Sequence, residues 1–391
     1  MTVLLKTLFW LPALALAWTQ AGYAVALRLL AGRRPASAGS APPDAPPAAN
    51  GGPPDDGLPS VTLIIAAYRE EDVIAAKIAN ARALDYPPAR LEVVVACDGS
   101  PDGTPARARA AGADRVLELP RGGKVATQDA AVREARGDIV AFSDANSAWE
   151  PDALRRLVAP FAQPDVGYVC GQVTFVNPDG GDNQEGAYWR YELAMREAES
   201  RLASVTAGNG AIYATRREAY VEVDPVMGHD LSFPFNLVKR GWRALYAPDA
   251  KATERMVPSV DGEYARKRRM MSHAWPIVVN GGLARLRAYP PAYAGMVVSH
   301  RLLRYASPFL HLAVLAASLA LVLRGARGLY AVALAAQAAL LLAAALAPAL
   351  RARPFAIARY YVLTTASIAG GLWDWRRHGT EAGWDAPEGT R

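Results

Sequence analysis

The sequence has few of the residues that build metal clusters and disulfide frameworks. Its 391 residues include only two cysteines and five histidines. Cys97 and Cys170 stand alone in apolar stretches, which predicts small core residues in a reducing compartment. The sequence also lacks the basic and aromatic pattern of a nucleic-acid-binding surface, so we do not expect nucleic acid as a partner.

Charge is missing from three long stretches. Residues 7–27 and 328–350 carry no charged side chain, and residues 305–323 carry none apart from a possible His311. Each is close to the ~20 apolar residues that span a bilayer as a helix. Residues 360–373 form a shorter and weaker fourth candidate. The composition therefore predicts a soluble domain held between transmembrane helices.

Arginines predict which side of the membrane the soluble domain occupies. Arg28, Arg33 and Arg34 follow the first apolar stretch, and the positive-inside bias then places the next domain in the cytoplasm. A cleaved signal peptide is the alternative, but this stretch exceeds the usual apolar core of about 7–15 residues. The net charge of +6 lies mostly near the apolar stretches, which favours contact with anionic membrane lipid.

Composition divides the chain into five segments. The residues between the first helix and the α/β domain are rich in Pro, Ala and Gly, which is typical of a disordered or semi-stiff tether. The segments are an N-terminal transmembrane helix (1–32), this linker (33–58), an α/β domain (59–285), interfacial and two to three transmembrane helices (286–374), and a polar tail (375–391).

Strand and helix patterns alternate in the first half of the α/β domain. This alternation predicts a mainly parallel sheet with helices on both faces. The predicted strands are 61–67, 92–97, 115–119 and 138–143, and the predicted helices are 70–84, 102–111 and 124–135. In the second half, the patterns predict helices at 151–161, 184–204, 231–240 and 264–274 and strands at 166–175, 210–215 and 244–247.

Four groups of polar residues follow the predicted strands. Because ligands bind at the carboxyl ends of strands in open α/β sheets, these groups should meet. Oxygen ligands on one turn suit a hard cation, and a Gly-Gly-Lys run at a helix start suits an anion. A set of solvated turns is the alternative interpretation, since Asp and Gly are common there. The groups are Tyr68 with Glu70, the run from Asp98 to Gly103 with Asp102, Arg121 to Lys124, and Asp144 with Asn146.

These groups resemble the motifs of family 2 glycosyltransferases, which have the Rossmann-like GT-A fold. The match comprises Tyr-Arg-Glu-Glu at 68–71, Asp-Gly-Ser-Pro-Asp-Gly-Thr at 98–104, Gly-Gly-Lys at 122–124 and Ser-Asp-Ala-Asn at 143–146. The last run stands where the family has Asp-x-Asp. The flanking apolar segments, with Ser-His-Arg at 299–301, resemble those of membrane-bound polysaccharide synthases.

The resemblance implies roles for particular residues. Asp98 would hold the nucleobase, Tyr68 and Glu70 would lie near base and ribose, and Lys124 would lie near the phosphates. Asp144 would approach the ribose or the metal, and Asn146 would bind Mg²⁺ or Mn²⁺ through its amide oxygen. Asp102 lies in the same donor-binding turn as Asp98.

A carboxylate is expected to take the proton of the acceptor hydroxyl. The resemblance points to Asp230 as this general base, although Asp at the start of a helix is also a common N-cap. His229 replaces the usual acidic neighbour. Metal binding, a hydrogen bond to the acceptor and helix capping are its alternatives, and the absence of a separate role is favoured. Arg266 and Arg269 share one helix face and would reach the diphosphate, while Trp275 would stand in for a tryptophan that is missing at Met270.

The side of the membrane on which the tail lies is open. A tail that closes over the nucleotide sugar through Trp384 must be cytoplasmic, yet three full crossings after the α/β domain would place it outside. An interfacial third segment would reconcile the two.

The expected function is inverting, metal-dependent transfer from a nucleotide-diphospho-sugar to a polysaccharide or lipid-linked glycan. The protein would act at the cell membrane as a multi-pass protein. The alternatives are a polyprenyl-phosphate glycosyltransferase that makes a single transfer, and a catalytically silent nucleotide-binding scaffold.

Overall fold

The computed structural model of the protein describes residues 2–32, 57–176, 186–255, 260–350 and 352–382. An eight-stranded sheet forms its centre, with the spatial order β3-β2-β1-β4-β7-β6-β8-β5. The strands are β1 (Val61–Ala67), β2 (Leu91–Asp98), β3 (Arg115–Leu119), β4 (Ile139–Asp144), β5 (Ala148–Trp149), β6 (Val166–Val176), β7 (Ile212–Arg216) and β8 (Arg243–Arg255). The predicted linker falls largely on residues 33–56, which lie outside the described residues.

Helices pack on both faces of the sheet and continue into an apolar bundle. They are α1 (Thr2–Ala17), α2 (Tyr23–Ala31), α3 (Ile74–Arg82), α4 (Thr104–Ala110), α5 (Lys124–Arg133), α6 (Ala153–Val158), α7 (Gly186–Leu202), α8 (His229–Lys239), α9 (Val260–Val279), α10 (Pro291–Met296), α11 (Leu303–Leu323), α12 (Leu329–Leu350) and α13 (Arg353–His378). Short π-helical segments join α1 to α2 and α10 to α11.

The first four strands form the parallel part of the sheet. β1 lies between β2 and β4, runs parallel to both, and buries all seven of its residues. A continuous apolar run is what a strand covered on both faces requires. The predicted helix 70–84 is shorter than expected because the amide of Glu70 donates to Thr104 Oγ1 in a turn, and α3 begins only at Ile74.

The other half of the sheet is mixed. β7 runs antiparallel to β4 and β6, while β6 runs parallel to β8. β8 has 13 residues and extends well beyond the predicted strand 244–247, which stopped before Pro248. The register between β6 and β8 shifts near this proline, because a bulge accommodates a residue that cannot donate to the ladder. This long strand also pairs with β5, a two-residue strand that the sequence patterns do not predict.

Three helical segments in the described part of the chain are long and apolar enough to cross a membrane. They are Thr2–Ala31, Pro291–Leu323 and Leu329–Leu350. The stretch 360–373, expected as a weaker fourth candidate, lies in the middle of α13 and does not meet the same criteria. Instead, α13 lies along α9, where Arg268 forms an ion pair with Asp374 at 2.6 Å.

A buried carboxylate joins the first apolar helix to the α/β domain. Glu199, on α7, accepts a hydrogen bond from the hydroxyl of Tyr23 at 2.7 Å and contacts His300 Nδ1 at 2.7 Å. Its other oxygen accepts from Thr206, in the loop before β7. One side chain therefore fastens together α2, α7, the loop and the helix that precedes α11.

The start of the C-terminal tail lies on the same side as the α/β domain. Thr380 donates to the carbonyl of Ser272 at 2.8 Å. The carbonyl of Ala382 occupies the space that a side chain at position 123 would fill, so the tail touches the loop before α5 at Gly123. With α13 laid against α9, the tail returns to the α/β domain. Trp384 lies outside the described residues.

Candidate active site at the carboxyl edge of the sheet

The carboxylate at the end of β2 organises the loop before α5. Asp98 is buried and accepts hydrogen bonds from the amides of Gly122 and Gly123 and from the Arg121 guanidinium at 2.6 Å. Gly123 has φ +88°, a conformation that glycine adopts without strain. Asp98 was predicted to hold a nucleobase, and in this structure its oxygens hold the loop.

The Arg121 side chain continues this surface toward Tyr68. Its guanidinium lies 3.4 Å from the centre of the Tyr68 ring, which forms a close cation–π stack. Glu70 is buried in the turn beside it. Although burial acts to raise the pKa of Asp102, hydrogen bonds from Thr104 and Ser100 hold it below its usual value. These residues lie together at the strand ends, as the sequence predicted.

A second polar corner forms at the end of β4. Lys124 Nζ and Asp144 Oδ1 form an ion pair across the gap between α5 and β4. Behind the turn, the buried Lys77 Nζ donates to the carbonyl of Ser147 at 2.7 Å. Burial lowers the pKa of Lys77 to about 7, with Asp144 and Glu254 acting in the opposite direction. The buried Lys77 amine therefore holds the turn that carries Asn146 in place.

A second carboxylate near this corner comes from β8. Burial and the neighbouring Asp144 raise the pKa of Glu254 to about 7, although Lys124, Lys77 and Arg266 oppose the shift. Glu254 Oε1 is buried and has no hydrogen-bond partner.

The oxygen ligands available at this corner are compatible with Mg²⁺ or Mn²⁺. Such ions take carboxylate and amide oxygens and leave positions for water and phosphate. Three or more His, Cys, Asp or Glu side chains in metal-binding proximity do not occur among the described residues. A cation here would therefore rely on carboxylate and amide oxygens and on its nucleotide.

Asp230 lies in the first turn of α8, at the edge of the same site. The N-cap of this helix is Gly228 and no side chain caps it, so the alternative reading of Asp230 as the N-cap is wrong. The Asp230 carbonyl accepts from the amide of Gly208 at 2.7 Å. Burial raises the pKa of Tyr213 well above its usual range, and the charges of Asp144 and Asp230 act in the same direction, so both carboxylates lie near this hydroxyl.

His229 is a buried neutral side chain under the site. Its Nδ1 lies 2.9 Å from the hydroxyl of Tyr213, and its ring stacks on Phe233 at 4.0 Å. Burial, together with the charge of Lys124, lowers the pKa of His229 to about 3. That His229 has no separate role stays a prediction.

The basic helix α9 divides its charges between two neighbours. Arg266 acts electrostatically on Glu254, so it lies toward the second polar corner, at the end of β4. Arg269 is exposed. Trp275 donates to the carbonyl of Ile368 at 2.9 Å and packs on Tyr305. Arg266 thus lies near Glu254, and Trp275 lies in the seam with α13.

A buried guanidinium lies behind the loop that contacts Asp230. Arg196, on α7, is 7% exposed and donates to the carbonyl of Gly208 at 3.0 Å. Its Nε and Nη1 atoms are buried with no hydrogen-bond partner, and the guanidinium lies 5.6 Å from the ring of Tyr246. No carboxylate of the described residues forms an ion pair with it.

Sequence reasoning missed Lys77, Glu254 and Arg196. Lys77 and Arg196 lie on amphipathic helices, where a charged residue usually faces water. Glu254 lies beyond the predicted end of its strand. The only sequence signal was the Asn at position 146, whose neutral amide leaves the second polar corner one negative charge short of the Asp-x-Asp pattern.

Comparison with known proteins agrees with this arrangement. Over 251 residues, the chain is 28% identical to an N-acetylglucosaminyltransferase of Rhizobium meliloti, covering 58% of each chain. It is 32% identical over 180 residues to the β-monoglucosyldiacylglycerol synthase of Synechocystis, covering 42% of this chain and 35% of the relative. The chain thus spans at most about three fifths of the length of these relatives.

The similarity of fold extends over nearly the whole molecule. The mannosyltransferase PcManGT of Pyrobaculum calidifontis, solved with GDP-Man and Mn²⁺, superposes with a TM-score of 0.68 at 25% identity. That superposition covers 94% of this chain and all of the other, so it includes the apolar helices. The family model described as glycosyltransferase like family 2 matches residues 59–273, which is more than half of the chain. The protein therefore belongs to glycosyltransferase family 2.

Proposed function

We propose that the protein is a membrane-bound, inverting glycosyltransferase that uses a nucleotide-diphospho-sugar. Its acceptor would be a polysaccharide or a lipid-linked glycan at the cytoplasmic face of the cell membrane. The observation that carries this proposal is that Asp144, at the end of β4, and Asp230, in the first turn of α8, both lie near the buried hydroxyl of Tyr213. Asp144 would act at the nucleotide-sugar donor, and Asp230 would act at the acceptor.

The donor would lie along the loop held by Asp98. The amides and the Arg121 guanidinium fix that loop before any ligand arrives, and the Tyr68 ring forms its wall. Asp144 and Asn146 would hold Mg²⁺ or Mn²⁺, which neutralises charge on the departing diphosphate. Lys124, already paired with Asp144, would lie near the same phosphates.

Asp230 would act as the general base. In an inverting transfer, a carboxylate takes the proton of the acceptor hydroxyl while that oxygen attacks the anomeric carbon from the face opposite the leaving diphosphate. No side chain caps the helix at Asp230, which leaves its carboxylate for this task. The next residue, Leu231, lies in the same buried apolar cluster as Tyr305 of the apolar helix α11, so an acceptor at Asp230 would lie next to the membrane.

An assay of nucleoside diphosphate release tests the proposal. Purified protein in detergent is incubated with a panel of nucleotide sugars, a membrane extract as acceptor, and Mg²⁺ or Mn²⁺. We expect one donor to release nucleoside diphosphate, and Asp230→Asn to slow release by about 10²–10⁴-fold, the usual contribution of a general base. Asp224→Asn, an exposed residue of the preceding loop, is the matched control and should keep full activity. If no nucleotide sugar released nucleoside diphosphate, the result would favour the alternative of a catalytically silent nucleotide-binding scaffold.

Arg196 favours a second candidate within the same family, the polyprenyl-phosphate glycosyltransferase. A buried guanidinium that lacks a carboxylate partner costs free energy unless an anion joins it, and a lipid phosphate is such an anion. The similarity to a synthase of β-monoglucosyldiacylglycerol also supports a lipid acceptor. Transfer of a single sugar to a polyprenyl phosphate in organic extracts would support this candidate, whereas long water-soluble products would contradict it.

A further inference from the structure

The pairing of β5 with β8 places Glu254 opposite the turn that carries Asn146. Ala148 is the residue paired with Thr253, and the two strands run antiparallel. The residue after Thr253 therefore comes level with the residue before Ala148, which is Ser147. Glu254 consequently lies beside the Asp144–Ser147 turn, although it is more than 100 residues away in sequence.

The carboxylate of Glu254 is not used by the surrounding protein. Its Oε1 is buried with no hydrogen-bond partner, and among the described residues no ion pair reaches it. The charged groups that face it are Asp144, Lys124, Lys77 and Arg266. Of these, Lys77 donates to the Ser147 carbonyl and Lys124 pairs with Asp144. An uncompensated carboxylate in such a place costs free energy, which a cation would offset.

We propose that Glu254 supplies the second carboxylate of the cation site, together with Asp144 and the amide oxygen of Asn146. This inference rests on the proposed function, because the cation is the one that would accompany the nucleotide donor. It accounts for the Asn at position 146. The site keeps two negative charges, as an Asp-x-Asp pair would give, but one of them comes from β8.

A purely structural Glu254 makes different predictions. If the carboxylate served only to hold β8 or to balance Lys77, its replacement by Gln would lower the stability of the metal-free protein. If it is a cation ligand, Glu254→Gln removes an unpaired buried charge, so the metal-free protein should unfold at the same or a higher temperature. The stabilisation that Mn²⁺ adds should then be lost.

Titration of the purified full-length protein with Mn²⁺ alone, then with Mn²⁺ plus UDP or GDP, tests the proposal. Electron paramagnetic resonance of the free hydrated ion gives the dissociation constant without any need for activity. We expect Glu254→Gln to weaken Mn²⁺ binding by about tenfold or more. Asp249→Asn is the matched control on the same strand, since its side chain is 67% exposed, and it should leave the constant unchanged.

A second variant moves the charge back to the turn. Asn146→Asp combined with Glu254→Gln should recover Mn²⁺ affinity to within about threefold of the wild type, since charge count governs such sites. Unchanged Mn²⁺ binding in Glu254→Gln, or a metal-free variant that no longer folds, would overturn the proposal. Because the readout is metal binding, a failure to find a sugar donor would leave this result standing and would count only against the proposed function.

Discussion

The two polar corners of the sheet edge differ in how their charges are satisfied. At the end of β2, Asp98 accepts hydrogen bonds from a cation and two backbone amides, so the loop before α5 is complete without a ligand. At the end of β4, two carboxylates and a buried lysine lie close together, and Glu254 keeps an oxygen without a partner. The first corner is therefore preformed without a ligand. The second corner lowers the stability of the ligand-free protein, because one buried carboxylate oxygen has no partner.

This difference follows from what each corner would bind. A sugar nucleotide presents many weak hydrogen-bonding groups, and a rigid loop reduces the entropy lost on binding. A divalent cation presents one strong charge, and it can offset repulsion that would otherwise destabilise the fold. Substitutions should therefore act with opposite signs on stability at the two corners.

The largest effect is expected at Asp98. Asp98→Asn would leave the Arg121 guanidinium and two buried amides short of an acceptor, and should lower the free energy of unfolding by about 3 kcal/mol. Denaturant unfolding in detergent measures this change. Asp102→Asn, in the adjoining turn, should cost only about 1 kcal/mol. Equal losses in both variants would contradict the view that Asp98 organises the loop.

The second prediction concerns pH and Lys77. Its pKa of about 7 in the folded protein is below the usual 10.5, so between these values the unfolded chain binds more protons. Stability should therefore rise with pH from about 7 to 10.5 through this group. In metal-free Lys77→Met this contribution is absent, so the free energy of unfolding of the wild type relative to this variant should rise with pH across that window.

Lys77→Arg is the matched variant for this measurement. A guanidinium stays charged over the whole range, so the variant should be less stable than the wild type by an increasing margin as the pH rises. Thermal unfolding at several pH values gives both comparisons. A difference between wild type and Lys77→Met that stays flat from pH 7 to 10.5 would show that the amine is not held in a perturbed state.

The smallest effect on stability is expected at Arg196. This residue lies behind the loop that contacts Asp230, where the acceptor would bind. Replacement by Met removes a buried cation that lacks an ion pair but also a hydrogen bond to Gly208, so the free energy of unfolding should change by less than about 1 kcal/mol. Transfer to an anionic acceptor should nevertheless fall by tenfold or more, because charge-assisted contacts contribute about 1.5–3 kcal/mol. A large loss of stability with normal transfer would make Arg196 a structural residue.

The sequence patterns predicted the fold well where local signals coincide with burial. β1, β2 and β4 are continuous apolar runs, and the polar residues that follow them lie together as expected. The patterns failed at β8, where Pro248 suggests an end that a bulge bypasses, and at β5, which is too short to detect.

The site was predicted in part for a related reason. Asp98, Lys124 and Asp144 could be found because their position after a strand fixes where they lie. Glu254 and Lys77 were missed because their burial depends on strand pairing and helix packing over long sequence separations. A charged residue in a helix or strand gives no local sign that another element will cover it.

The hydrogen bonds of Glu199 affect the design of chimeras, in which parts of this enzyme are exchanged with those of a relative. Exchange of catalytic domains between relatives is attractive when anchor and domain are independent modules. Here Tyr23 and His300, from two different apolar helices, contact one carboxylate on α7. A chimera that replaced either helix alone would leave this buried carboxylate without one of its partners. Donor specificity in this protein would therefore be transferred with both helices, as one inherited unit.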